Sequence, residues 1–157
     1  MTFPMLALAV IGTAGVTAAL ARMTKQYAVA AIAGPALILF LHGWRYFGYT
    51  SDDAYISYRY ARNLADGVGL VWDPGEHVEG YSNFLWTVLL AALDKLGAEP
   101  VRTSRWLGFA LGVAAIGGTY ALARTLLEDA AGRVAGLVAT LLLAASGPFA
   151  LWAFAGL

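Results

Sequence analysis

Residues 3–21 are nineteen consecutive positions without Asp, Glu, Lys or Arg, and residues 27–44 form a second such run. A hydrocarbon core of about 30 Å takes about 20 apolar residues of helix to cross, so these runs predict an integral membrane protein. Composition agrees: 60% of the 157 residues are hydrophobic and 13% charged, against about 45–50% and about 25% for a soluble domain. A soluble chain of this make-up would lack the polar groups to cover its apolar surface. Ten basic and ten acidic residues give zero net charge, which excludes the basic footprint of a nucleic-acid partner. The absence of cysteine removes disulfides and thiolate metal sites from consideration.

The expected fold is all-α, with about five transmembrane helices at 3–21, 27–44, 81–97, 106–127 and 134–157, in one domain over 1–157. A secretory signal competes for the first run because Ala19-Leu20-Ala21 resembles a cleavage site, but no basic residue precedes it. Pro35 predicts a kink in the second span. The third is apolar only over 81–93 and crosses only if Lys95 snorkels. The fourth is rich in Gly and Ala, which allow close helix packing, and the fifth is interrupted at Ser146-Gly147-Pro148. Arg22 and Lys25 place the first connection in the cytoplasm by the positive-inside rule. Residues 45–80 then face outward and 94–105 return to the cytoplasm, with the plasma (inner) membrane as location.

Nine of the twenty charged residues fall in 45–80, so polarity is concentrated in this loop. Residues 54–65 lack Gly and Pro and stop before Gly67 and Gly69, which predicts a short helix starting at Asp52-Asp53. Helical spacing places Asp52, Arg59, Arg62 and Asp66 on one face and Ile56, Tyr60 and Leu64 on another, as in an amphipathic interfacial helix. Thr50 with Asp53 resembles a capping box, and acids favour the positive end of a helix. The same two carboxylates would equally serve as a general base for an acceptor hydroxyl, or as ligands for a divalent cation such as Mg, Mn or Ca. Arg59 and Arg62 either neutralise Asp52 and Asp66 or hold a phosphate. Asp73-Pro74-Gly75-Glu76 reads as a type II turn. Glu76, His77 and Glu79 beyond it are metal or proton-transfer candidates or plain loop residues, and Tyr81, Phe84 and Trp86 suit an interfacial aromatic belt.

Taken in order, the acidic pair and helix of 52–64, the segment Gly67 to Glu76 and the segment Val78 to Trp86 closely resemble bacterial GT-C membrane glycosyltransferases, particularly arabinofuranosyltransferase-like members of envelope biosynthesis. The resemblance implies an inverting transferase that passes a sugar from a polyprenyl-phosphate donor to an extracytoplasmic glycan, lipid or protein acceptor. It implies Asp52 and Asp53 as the catalytic pair and cation ligands, with Glu76 and His77 as further metal candidates. Arg59 and Arg62 would face the donor phosphate, with Tyr58, Glu79, Tyr81 and Asn83 at the pocket rim. Relatives usually have more spans, so the 157 residues are expected to be an N-terminal fragment, inactive alone. A non-catalytic membrane subunit or scaffold, binding a lipid headgroup or partner through the outer loop, is the alternative. A transporter is the third reading, disfavoured because ionisable groups are not placed at mid-bilayer.

Overall fold

Every regular element of the computed structural model is helical among the residues it describes, which are 11–16, 27–76 and 78–157. Most of the 3–21 run, the Arg22–Lys25 connection and His77 therefore lie outside the described residues. The helices are α1 (Tyr27–Gly43, followed by a 3-10 turn at Trp44–Tyr46), α2 (Asp52–Ala65), α3 (Phe84–Lys95), α4 (Pro100–Leu126), α5 (Asp129–Ala145) and α6 (Gly147–Trp152). Two are long and apolar enough to cross a membrane: Ala28–Tyr46 and Pro100–Leu126. The chain divides into two units, one of residues up to Tyr46 with Phe109–Leu151, the other of Phe47–Gly108 with Trp152–Leu157.

In the first unit α1 continues through Pro35 and packs on α5. The buried face of α5 is a ladder of small residues, Gly132, Gly136, Thr140 and Ala144, spaced four apart. Lipid tails are as apolar as leucine, so helices in a bilayer gain little from hiding apolar side chains and much from close backbone approach. The approach at Gly136 is close: a Cβ there would lie 2.6 Å from the Tyr120 ring on α4. Thr140 sits in the ladder without an orphaned hydroxyl, because its Oγ1 donates to the Gly136 carbonyl at 3.0 Å. At the α4–α5 turn, the Arg124 guanidinium donates to the Asp129 carbonyl at 2.7 Å. The apolar run of 134–157 breaks where its sequence suggests: α5 stops at Ala145, Ser146 is extended and α6 restarts at Gly147.

The second unit is built on α2 and α3. Ala54, Tyr58 and Ala61 pack on Leu90 and Ala91, with Leu64, Trp86, Val101, Leu107 and Leu157 around them. The two helices run in the same sense, since Ser57 early in α2 meets Asn83 at the start of α3 and Arg62 late in α2 meets Asp94 at its end. The intervening chain must therefore return along the pair, and Asn63 fastens it. Its buried amide donates to the Val71 and Trp72 carbonyls, both at 2.8 Å, while its own backbone carbonyl accepts from Val68 and Gly69. Gly67, at φ +80°, supplies the left-handed residue of a Schellman end, with Val68 N on the Asn63 carbonyl and Gly67 N on that of Leu64.

Three local expectations change. Thr50 does not cap α2: the capping position is Ser51, without a side-chain bond, and Thr50 Oγ1 instead accepts from Arg105 at 2.9 Å. The packed face of α2 is wider than Ile56, Tyr60 and Leu64: Tyr60 is buried and Leu64 packs at the edge, while Ala54, Tyr58 and Ala61 form the buried cluster with Leu90 and Ala91 of α3. The segment expected to span at 81–97 holds a helix of 12 residues, about 18 Å at 1.5 Å per residue, against a core of about 30 Å. Its apolar run arises because both faces of α3 are apolar: Leu90 and Ala91 are buried, whereas Phe84, Leu85 and Leu89 are exposed.

Candidate functional site

The first turns of α2 and the extended approach to α3 enclose an open cleft of about 230 Å³ in the second unit, lined by Asp53, Ile56, Ser57, Gly80, Tyr81, Ser82, Asn83 and Leu157. Its walls are fixed from behind. The Tyr60 hydroxyl donates to the Val78 carbonyl at 2.8 Å and accepts from Gly80 N at 3.0 Å, and the Tyr60 ring packs against that of Tyr81 at 4.7 Å between centroids. A side chain at position 80 would put its Cβ 2.9 Å from the Tyr60 hydroxyl oxygen, so glycine lets the loop close on α2. Asn83 Oδ1 accepts from Ser57 Oγ at 3.0 Å and from Thr87 Oγ1 at 3.2 Å. With the oxygen doubly engaged, the amide NH2 is the polar group Asn83 retains for the cleft.

Asp53 is exposed at the start of α2, and its carboxylate makes no hydrogen bond or ion pair with any described residue. It is thus an acceptor facing the cleft, at the positive end of a helix. Tyr81 is held as a neutral phenol above its ordinary range, by burial first and then by the Glu79 carboxylate and Tyr60. It remains a donor at neutral pH.

Of the residues singled out in the sequence, Asp53, Tyr81 and Asn83 come together in this cleft. Asp52 is exposed outside the lining, as are Glu76 and Glu79. Tyr58 is not at the rim: it is buried, its hydroxyl 2.7 Å from Ser104 Oγ and 3.4 Å from the Gly156 carbonyl, and burial raises its pKa. Arg59 and Arg62 do not pair with Asp52 and Asp66. Arg59 binds Asp73 at 2.9 Å and the Trp72 carbonyl at 3.1 Å, because the turn closed by Glu76 N on the Asp73 carbonyl, with Gly75 at φ +90°, brings Asp73 back to α2. Arg62 reaches across to Asp94 at 2.6 Å.

Comparison with known proteins gives no match: no family model, curated protein or solved structure matches the chain. Among the described residues no group of three or more His, Asp or Glu side chains gathers where it could hold a metal ion, and His77 lies outside them. Two lining residues, Ser57 and Leu157, carry no signal in the sequence. A serine inside a helix belongs to no motif, and Leu157 is brought in by tertiary bonds: Trp86 Nε1 donates to the Gly156 carbonyl at 3.1 Å and Ser51 N to that of Ala155 at 3.0 Å.

Proposed function

We propose that this chain carries the acidic loop of a GT-C-type, arabinofuranosyltransferase-like glycosyltransferase, which moves a sugar from a polyprenyl-phosphate donor to an extracytoplasmic glycan, lipid or protein acceptor with inversion. The reading rests on the motif order across 52–86 and on one observation: Asp53, Tyr81 and Asn83 share a cleft in which the Asp53 carboxylate is paired with no described residue. In the reaction the acceptor hydroxyl attacks the donor's anomeric carbon from the face opposite the phosphate. Its proton passes to Asp53, the bond from the anomeric carbon to the phosphate oxygen breaks, and polyprenyl phosphate leaves with the electron pair. The phosphate ester already activates the sugar, so positioning and a base suffice and no protein nucleophile is required.

The membrane arrangement we favour has crossings at 3–21, α1, α4 and the α5 region in a multi-pass plasma (inner) membrane protein, four rather than five. In it α3 lies along the outer surface, with Phe84, Leu85 and Leu89 toward the acyl boundary. Residues 45–80 and 94–105 then share the outer side. Arg124 and Arg133 then join Arg22 and Lys25 on the cytoplasmic side, whereas Lys95, Arg102 and Arg105 move to the outer side, so the arrangement rests on the shortness of α3 and not on the positive-inside rule.

Transfer of labelled sugar from a polyprenyl-phosphate donor, measured on the full-length protein in native membranes, tests the reading. Asp53→Asn is expected to lower turnover by about 10²-fold or more, the scale of a lost general base, with insertion and folding unchanged. Asp52→Asn, outside the cleft, is expected to cost less. The alternative of a non-catalytic scaffold draws on Arg59 and Arg62 being held by carboxylates rather than free for phosphate. It predicts that both Asn variants keep full function.

A further inference from the structure

The lining of the cleft separates the two substrates that the proposed reaction brings together. Among the described residues the cleft is lined by one carboxylate, Asp53, and by no Lys or Arg. The two arginines of α2 are engaged elsewhere, Arg59 with Asp73 and Arg62 with Asp94. A phosphate brought into this cleft would meet the Asp53 carboxylate with no cation among the described lining residues to offset it, which disfavours it on Coulombic grounds. A neutral polyhydroxyl group meets complementary chemistry: an acceptor in Asp53, an amide donor in Asn83, a phenol in Tyr81, and the apolar side chain of Ile56 for the C–H face of a ring. At about 230 Å³ the space is below the roughly 300–1,000 Å³ of drug-sized ligand sites, which suits one sugar ring rather than an oligosaccharide.

We propose that the cleft is the subsite for a single neutral sugar unit of the acceptor, that Asn83 is its specificity-determining donor, and that Ser57 is the positioning residue which fixes the Asn83 amide. The proposal deepens the glycosyltransferase reading and rests on it for the identity of the ligand as a sugar. It places the donor phosphate outside this cleft. Ser57 acts by holding Asn83 Oδ1, together with Thr87, so that the NH2 rather than the carbonyl oxygen is offered to the ligand. An amide free to rotate would present either group and lose that selection.

The test is saturation-transfer NMR on the chain in nanodiscs, with methyl glucopyranoside and methyl arabinofuranoside as neutral probes and inorganic phosphate as competitor. At least one glycoside is expected to bind, and excess phosphate is expected not to displace it. Ser57→Ala should weaken binding by about three- to tenfold, the scale of one hydrogen bond, and Ser57→Thr, which keeps the hydroxyl, should restore it. Asn83→Asp, which replaces the donor by a second negative charge, should weaken it by about tenfold or more. Displacement by phosphate, absence of binding by both glycosides, or affinity unchanged in both Ser57→Ala and Asn83→Asp would each overturn the proposal. The phosphate competition uses the unmodified chain, so it decides the matter even where a variant fails to fold. Glycoside binding without sugar transfer by the full-length protein would leave the subsite standing and remove the transferase. Transfer that depends on Asp53 without glycoside binding here would do the reverse.

Discussion

In the first unit α5 turns Gly132, Gly136, Thr140 and Ala144 toward its neighbours, whereas in the second α2 and α3 are tied by Ser57–Asn83, Arg62–Asp94 and the amide of Asn63 on the returning loop. The contrast is the one that two different solvents would produce. Between helices in lipid, close approach is the main source of stability and a small residue is the means to it. At an aqueous boundary polar side chains can be satisfied by one another or by water, so directional bonds can set the register of helices and loops. The first arrangement holds helices against each other, and the second positions particular atoms, as a cleft with a defined donor and acceptor requires.

The contrast breaks most visibly at Gly136. Gly136→Ala drives a Cβ against the Tyr120 ring, and overpacking of this kind costs about 1–3 kcal/mol. Thermal unfolding in detergent should report that loss while glycoside binding by the cleft is retained. An unchanged melting temperature would show that the ladder is not close-packed.

Next comes Asn63. Asn63→Ala removes the buried amide that donates to the Val71 and Trp72 carbonyls and should cost about 1–3 kcal/mol, with faster proteolysis in 66–76. Glycoside binding should survive in the fraction that remains folded, because Asn63 is not in the cleft lining.

The smallest effect is a pH dependence of the second unit. Burial holds Tyr58 protonated beyond its ordinary value of 10.0, so the folded state binds the proton more tightly than the unfolded state does. Its contribution is therefore fully present below about pH 10 and is lost as pH rises through the higher folded value. Melting curves taken from about pH 8 to about pH 11, a range that brackets the ordinary tyrosine pKa, should fall at the alkaline end. The Tyr58→Phe variant should show a shallower fall from a lower starting point, having lost the bond to Ser104.

How far the sequence could be read differs between the units for the same reason. Apolar runs with few charges mark α1 and α4 directly, since a bilayer demands length and apolarity together. The 81–93 run is ambiguous in sequence because apolarity without length fits both a short span and a surface helix with two apolar faces; the helix there has 12 residues and packs Leu90 and Ala91 on α2. In the cleft, Asp53, Tyr81 and Asn83 were visible through motif order. Ser57 was not, because its role depends on meeting Asn83, 26 residues away. Helical spacing pointed Arg59 and Arg62 to the wrong partners because it finds neighbours on one helix, and both arginines reach off it, to Asp73 and Asp94.

Everything proposed for the cleft requires residues 45–105 to stay together on the outer surface, open to a lipid-carried sugar. The chain has no cysteine, so single Glu76→Cys, Lys95→Cys and Glu128→Cys variants can be labelled in intact cells with a membrane-impermeant maleimide. Positions 76 and 95 are predicted to react and 128 to be protected until the membrane is permeabilised. Protection of position 95 while 76 reacts would mean that α3 crosses the bilayer after all, and protection of 76 would turn the cleft away from any extracytoplasmic donor.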